Sequence, residues 1–302
     1  MEHSTQETLS QCPLCGSSDR KSWAAITDYS ITKEIFTLVD CTLCGFRFTD
    51  PRPGPASIGR YYQSERYISH SNTSVTLLDH LYHLARRIGM RRKFRIIQAV
   101  HPHGRVLDVG CGTGAFLAHL MSRGYLVHGV EPDLKAREFA VAEHSIPVLP
   151  TLEQVPGHEQ FQVITLWHVL EHLPDLRSAL KRIYAQLADQ GVVVIAVPDR
   201  GSWDAAHYGT HWAAWDVPRH FYHFRQQDVR TLLREHGFEL IETRRMWMDS
   251  VYIAILSEGF KRIPQPFAFL KGLCFGGWSN LVSLLTQRPT SSSLYLARKA
   301  QP

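Results

Sequence analysis

The sequence predicts an α/β fold: a doubly wound, mostly parallel sheet preceded by a small cysteine-bearing N-terminal module. Three observations carry that expectation. From residue 105 onward, short apolar runs alternate with helical patterns at the rhythm of strand–helix–strand crossovers. The run Arg105–Val109 opens into alternating glycines at 110, 112 and 114, a backbone that lets a ligand come close and tolerates positive φ. Ahead of both, Cys12-x-x-Cys15 and Cys41-x-x-Cys44 each continue into a glycine.

The bulk properties set limits. With 302 residues, 44% hydrophobic and 20% charged, the chain has the composition of a soluble globular protein. A prior of about 150 residues per domain suggests two units. The net charge of +5 and pI of 8.9 suit an anionic partner such as nucleic acid, phospholipid or a phosphorylated metabolite, without choosing among them. The first residues lack the apolar core of a secretory signal, and no run reaches about 18 uninterrupted apolar residues. A cytoplasmic protein without a spanning helix is therefore expected. The expected division is 1–55 for the cysteine module, 56–100 for a linker and basic helix, and 101–302 for the α/β domain, with an apolar helical insertion at about 251–288.

In the N-terminal module, glycine after each cysteine pair (Gly16, Gly45) permits the tight turn that aims backbone N–H groups at sulfur. Two such knuckles, Cys12, Cys15, Cys41 and Cys44, make a tetrahedral set for Zn²⁺, and a short hairpin (Trp23–Thr27, Ile35–Val39) fits between them. Disulfides are the competing reading, which a cytosolic protein disfavours. With four protein ligands the zinc would be structural, not catalytic. Asp50–Pro55 then reads as a stiff linker. Tyr61, Tyr62 and Tyr67 follow, either packing one domain on the other or lining a substrate mouth. Val75–Val100 reads as a long helix, with Leu77, Leu81, Leu84, Ile88 and Ile97 at helical spacing. Its basic residues, among them Arg91, Arg92, Lys93 and Arg95, are either a solvated face or an anion-binding patch.

The segment 105–133 is strand, glycine turn, helix and strand, with an acid, Glu131, at the tip of the second strand. A carboxylate there suits the two hydroxyls of a ribose, and the helix start supplies unpaired N–H groups. The glycines do not follow the dinucleotide spacing Gly-x-Gly-x-x-Gly. Asp108 precedes them, which is unfavourable for a pyrophosphate and favourable for a cationic ligand carrying an amino group. An adenine nucleoside of that kind is the expected ligand. A helix (Asp133–His144), a strand (Phe161–Trp167), a helix (Asp175–Leu187) and a strand (Val192–Val197) follow. His168, Glu171 and His172 stand at the end of a strand and so border the same crevice. Gly201–Phe224, dense in Trp and His, reads as a substrate-side loop. Phe238–Trp247 and Ser293–Ala297 are the last strands, the final one antiparallel. Between them Phe267–Leu285 is apolar, with glycines that weaken it as a single helix. It reads either as part of a helical hairpin covering the sheet edge or as a segment resting on a membrane at its inner face.

The pattern Asp108-Val-Gly110-Cys111-Gly112-Thr-Gly114, with Val-Glu131-Pro132-Asp and Leu-Glu171-His172-Leu-Pro-Asp, resembles the class I S-adenosylmethionine (SAM) methyltransferases over about residues 95–300. With the cysteine module in front, the chain is similar to bacterial members that carry an N-terminal zinc ribbon. Its Trp215-Asp-Val-Pro-Arg219-His220 segment is similar to members linked to ubiquinone-type, sugar or cell-surface glycan methylation. The resemblance implies a seven-stranded Rossmann-like sheet and SAM as cofactor. It places Asp108, Gly110, Cys111, Gly112 and Gly114 at the methionine end, Glu131 and Pro132 at the ribose, and Leu152 and His168 along the same groove. Gln162 and Leu152 depart from the acids common in relatives, so backbone groups are expected at the adenine amine.

A sulfonium methyl is already electrophilic, so the protein's tasks are alignment and deprotonation of the acceptor. A hydroxyl acceptor calls for a general base, and imidazole is suited to it at neutral pH. His220 is the first candidate and His168 the second. Arg219 is placed to clamp a phosphate or carboxylate, and Trp212 and Trp215 to stack on a ring. A metal variant is weighed behind the histidine base: Glu171, His172 and His220 resemble part of the ligand set of small-RNA 2′-O-methyltransferases and ubiquinone-pathway O-methyltransferases, but His168 replaces the first acid. The leading function is O-methylation of a small molecule, sugar or lipid-linked glycan. RNA methylation, with the basic helix gripping phosphates, and non-catalytic SAM binding are the alternatives.

Overall fold

The computed structural model describes residues 6–62 and 77–301. Tyr67 and the first two residues of the helix expected from Val75 lie outside the described residues. The N-terminal strands are β1 (Gln6–Glu7), β2 (Arg20–Thr27), β3 (Ile35–Cys41), β4 (Arg47–Thr49) and β5 (Arg52–Pro53). Helix α1 (Leu77–Val100) leads to β6 (Arg105–Val109), α2 (Ala115–Met121), β7 (Leu126–Val130), α3 (Leu134–His144), β8 (Val148–Leu149), β9 (Phe161–Trp167), α4 (Leu176–Gln186) and β10 (Leu187–Pro198). The loop of residues 201–224 holds α5 (Trp203–Tyr208) and β11 (Tyr222–His223). It is followed by α6 (Gln226–Glu235), β12 (Phe238–Arg245), α7 (Trp247–Phe260), α8 (Gln265–Thr286) and β13 (Ser292–Lys299).

Seven strands form one sheet in the order β12-β13-β10-β9-β6-β7-β8, with β6, β7, β8, β9 and β10 mutually parallel and β13 antiparallel to both its neighbours. This is the mostly parallel, Rossmann-like sheet that the alternating runs predict. Neighbouring residues of one strand serve opposite faces, as the pleat requires. Val106, Val163 and Val194 pack with Ile97 of α1 and Leu117 and Leu120 of α2. Leu107, Ile164 and Ile195 pack with Leu180 and Ile183 of α4 and Val229 and Leu232 of α6. Helices on both faces explain why the strands read as continuous apolar runs. Helix starts are fixed locally, for Asp133 accepts from Ala136 N and Asp175 from Arg177 N and Ser178 N.

The N-terminal module is a hairpin of β2 and β3 joined by β4, and β11 pairs with the open side of β4. The loop of residues 201–224 thus completes the small module's sheet. Phe46 and Phe48 of the module share a core with Tyr222 and Phe224 of the loop. Thr49 Oγ1 also donates to the His220 carbonyl at 2.8 Å.

Residues 247–286 do form a helical hairpin. Its glycines are contact points: a Cβ at Gly272 would lie 2.4 Å from Ile255 Cα, and one at Gly276 would lie 2.5 Å from Val251 Cα. The expectation that glycines weaken the segment as one helix fails, because close packing on α7 offsets their low propensity. The expectation of no helix able to cross a membrane also needs correction. Pro266–Thr286 is long and apolar enough to do so by length and composition, although Lys271 and Asn280 interrupt it.

Candidate active site

The crevice lies at the carboxyl ends of β6 and β9, the two central strands between which the chain reverses direction across the sheet. Gly110, Gly112 and Gly114 all take positive φ (74°, 55° and 75°). At Gly110 a side chain is excluded outright, since a Cβ would stand 2.4 Å from Val169 Cγ2. Over Gly112 there is open space, and a Cβ there would meet nothing within 4 Å. The Glu131 carboxylate is buried and accepts from Gly112 N at 2.8 Å and from Asp133 N at 2.9 Å. Strand β7 thereby aims its terminal acid at the middle of the glycine turn. Cys111 is buried with its Sγ against Gly129, Gly114 caps α2, Pro132 is exposed beside the turn, and Leu152 is buried in a single turn of 3-10 helix.

Asp108 is buried and accepts from Thr165 Oγ1 at 2.5 Å. Burial raises its carboxyl to about 6, against the opposing pull of the Thr165 hydroxyl and Lys93. The sequence marks Lys93 only as part of a basic face. It instead reaches inward, with Nζ 4.6 Å from the Trp167 ring centroid and 5.6 Å from that of Phe116. Burial lowers its pKa while Asp108 and Asp249 hold it up. A half-buried ammonium beside a buried carboxylate matches the two charges of an amino-acid end, and the sequence signal for it is one lysine on the inner face of α1.

The other side of the crevice is built around Glu171, whose carboxylate is fully buried with His168 Nδ1 3.4 Å from its Oε1. His172 Nδ1 lies 2.9 Å from the Arg219 carbonyl and His220 Nδ1 lies 2.9 Å from the Ala214 carbonyl. A carbonyl only accepts, so each Nδ1 carries a proton, and in the neutral ring the lone pair lies on Nε2. Glu171, His172 and His220 offer ligand atoms all within 4.8 Å of one another. Burial, then the neighbouring His220, pushes His172 down to about 4, so it stays a neutral imidazole. Tyr62 Oη stands 3.0 Å from His172 Nδ1.

Four other expected residues are used differently. His168 takes positive φ (57°) and bridges two acids, Nδ1 being 3.4 Å from Glu171 and Nε2 3.1 Å from Asp249. Burial opposes its charge, but the hydrogen bonds to Asp249 and Glu171 carry it up to about 10, so as placed it is an imidazolium and not a base. Arg219 turns its fork onto Asp216, with Nε 3.0 Å from Oδ2, and not into the crevice. Trp212 and Trp215 are buried, donating to Asp204 Oδ2 and the Gly209 carbonyl, so they support the loop from inside. Asp249, in the first turn of α7, has no sequence signal, because nothing in an apolar segment marks which acid faces the sheet.

Away from the crevice, the four module cysteines are free thiols with Sγ atoms within 4.8 Å of one another. The Cys12–Cys44 and Cys15–Cys41 separations are 3.7 and 3.5 Å, close to the edge of about 3.8 Å for a tetrahedron with Zn–S near 2.3 Å. The donor set fits zinc.

Residues 81–243, just over half of the chain, match the family model described as a methyltransferase domain. A ubiquinone biosynthesis O-methyltransferase of Rhodopseudomonas palustris is 26% identical over 47% of this chain and 60% of its own length. A counterpart in Bradyrhizobium diazoefficiens is 30% identical over 32% of this chain and 40% of its own. The chain thus spans about half the length of the curated relatives it matches. Two solved structures share the fold. Magnesium protoporphyrin IX methyltransferase of Synechocystis with bound S-adenosylhomocysteine aligns at TM-score 0.54 and 13% identity, covering 81% of this chain and all of that one. A Burkholderia thailandensis 1,6-didemethyltoxoflavin-N1-methyltransferase aligns at TM-score 0.51 and 18% identity, covering 90% and 98%. The chain belongs to the methyltransferase domain family and has the fold that these methyltransferases share.

Proposed function

We propose that this protein transfers a methyl group from SAM to a hydroxyl of a small-molecule acceptor, with sugars and lipid-linked acceptors within that class. One observation carries the reading. Val169 packs on Gly110, which sets the Glu171–His172–His220 cluster immediately beside the glycine turn that receives the cofactor. The names of the relatives, ubiquinone biosynthesis O-methyltransferases, support a hydroxyl acceptor.

When bound, SAM supplies a methyl on a positively charged sulfur. Asp108 and Lys93 hold the ammonium and carboxylate of its amino-acid end, and Glu131 accepts from the ribose hydroxyls. His220 Nε2, 3.7 Å from Asp216 Oδ2 and with its ring fixed through Ala214, takes the proton of the acceptor hydroxyl as the oxygen attacks. His168, held by Glu171 and Asp249, fixes the far wall of the site.

The same cluster fits a divalent cation, because a buried carboxylate and two imidazole nitrogens converge there. Glu171, His172 and His220 would hold it, and it would supply Lewis-acid acidification of the acceptor hydroxyl. The test compares wild type with His220→Ala in SAM calorimetry and in label transfer, with and without chelator. Unchanged SAM affinity with transfer lost supports the assignment of His220, and loss on chelation restored by Mg²⁺ makes His220 a ligand of the cation in place of the base. Full transfer by His220→Ala removes the reading.

A further inference from the structure

The α7–α8 hairpin lies outside the matched methyltransferase segment and meets the crevice through Asp249 at its start, which pairs with His168. One face of α8 is consumed by the fold: Ala268, Gly272, Gly276, Ser279 and Ser283 are buried. The opposite face is Phe267, Leu270, Trp278, Leu281 and Leu285 at three-, four- and eight-residue steps, 64%, 59%, 52%, 42% and 73% exposed. Cys274 and Gly277 fill the spaces between them, so no charged side chain breaks this stripe, and Lys271 stands at its edge. A monomeric soluble protein rarely leaves so continuous an apolar face to water.

Charge identifies the occupant. From Gly259 to the end of the chain the sequence contains no Asp or Glu, while Arg262, Lys271 and Arg288 are exposed around the hairpin. A second copy would bring one basic rim against another. An anionic lipid surface instead matches both features at once, the apolar stripe entering the acyl boundary and the basic side chains meeting phosphates.

We infer that the α7–α8 hairpin docks the protein in the plane of an anionic bilayer. The helix lies on the membrane and does not span it, because its glycine face is locked against α7 and cannot be surrounded by lipid. The docking does not depend on which acceptor is methylated.

The test is co-sedimentation of the full chain with vesicles of phosphatidylcholine alone and of phosphatidylcholine with phosphatidylglycerol. Binding to the anionic vesicles, weakened by salt, is expected. Leu281→Asp with Leu285→Asp, both on the exposed stripe, should reduce that binding at least tenfold with SAM affinity and melting temperature retained. Lys271→Glu with Arg288→Glu should lower binding to anionic vesicles and leave any binding to neutral ones unchanged. Wild type that stays in the supernatant with both vesicles overturns the inference. So does a lipid-free dimer in sedimentation velocity that the aspartate variant dissolves, which would make a second copy the occupant.

Discussion

The contact between Gly110 and Val169 joins cofactor loop to acceptor cluster, and it can be broken and repaired. Gly110→Ala forces an alanine into φ 74°, which costs about 1–2 kcal/mol. It also drives a methyl to 2.4 Å from Val169 Cγ2, an overpacking cost of about 1–3 kcal/mol. Together the loss should be about 2–5 kcal/mol, read as a lower urea midpoint, and SAM affinity should fall with it. Val169 is only half-buried, so Val169→Ala alone should be mild, about 1 kcal/mol. The double variant removes the clash and keeps only the backbone strain. It should therefore recover about 1–3 kcal/mol relative to the sum of the single variants. A Gly110→Ala protein within about 0.5 kcal/mol of wild type, or a double variant no better than additive, would refute this account of the loop.

Further outcomes are expected elsewhere. Burial raises Asp108 from 3.8 to about 6 in the fold, so this group stabilises the empty protein most at low pH and loses that contribution, up to about 3 kcal/mol, as pH rises through this interval. Asp108→Asn should then stabilise the empty protein at pH 8 and not at pH 4 in urea unfolding, while weakening SAM. Because a ligand ammonium prefers the ionised acid, wild-type SAM affinity should climb with pH up to about 6 and level off above it, as titration calorimetry across pH would show. Lys93→Met should weaken SAM roughly tenfold, the size of one charged hydrogen bond of about 1.5 kcal/mol, and leave adenosine binding nearly unchanged. One equivalent of zinc should be found by elemental analysis. Cys44→Ser should lose it and lower the melting temperature, because β4 also carries the loop that holds His220.

The parallel sheet was legible because strands buried on both faces must be apolar throughout, and the glycine turn was legible because Asp108 and Glu131 frame it at fixed spacing. What the sequence hid was set by contacts distant along the chain. The pairing of β4 with β11 joins residues about 175 apart in the sequence, and neither two- nor three-residue strand has a pattern of its own. Arg219 looked like an anion clamp because nothing in a loop shows that Asp216, three residues earlier, would turn back to meet it. His168 looked like a base because its two acid partners come from different elements, one of them the apolar hairpin. The glycines of α8 were read by propensity, where helix-to-helix distance governs.

The central claim is methyl transfer to a small-molecule hydroxyl at the crevice beside His220. It is tested most directly by incubating the protein and radiolabelled SAM with a bacterial extract fractionated into RNA, lipid, polysaccharide and small metabolites. Label in the lipid, polysaccharide or metabolite fraction, released by ether-cleaving but not ester-cleaving chemistry and absent with His220→Ala, is the predicted result. Label in RNA, or equal label with His220→Ala, would contradict it.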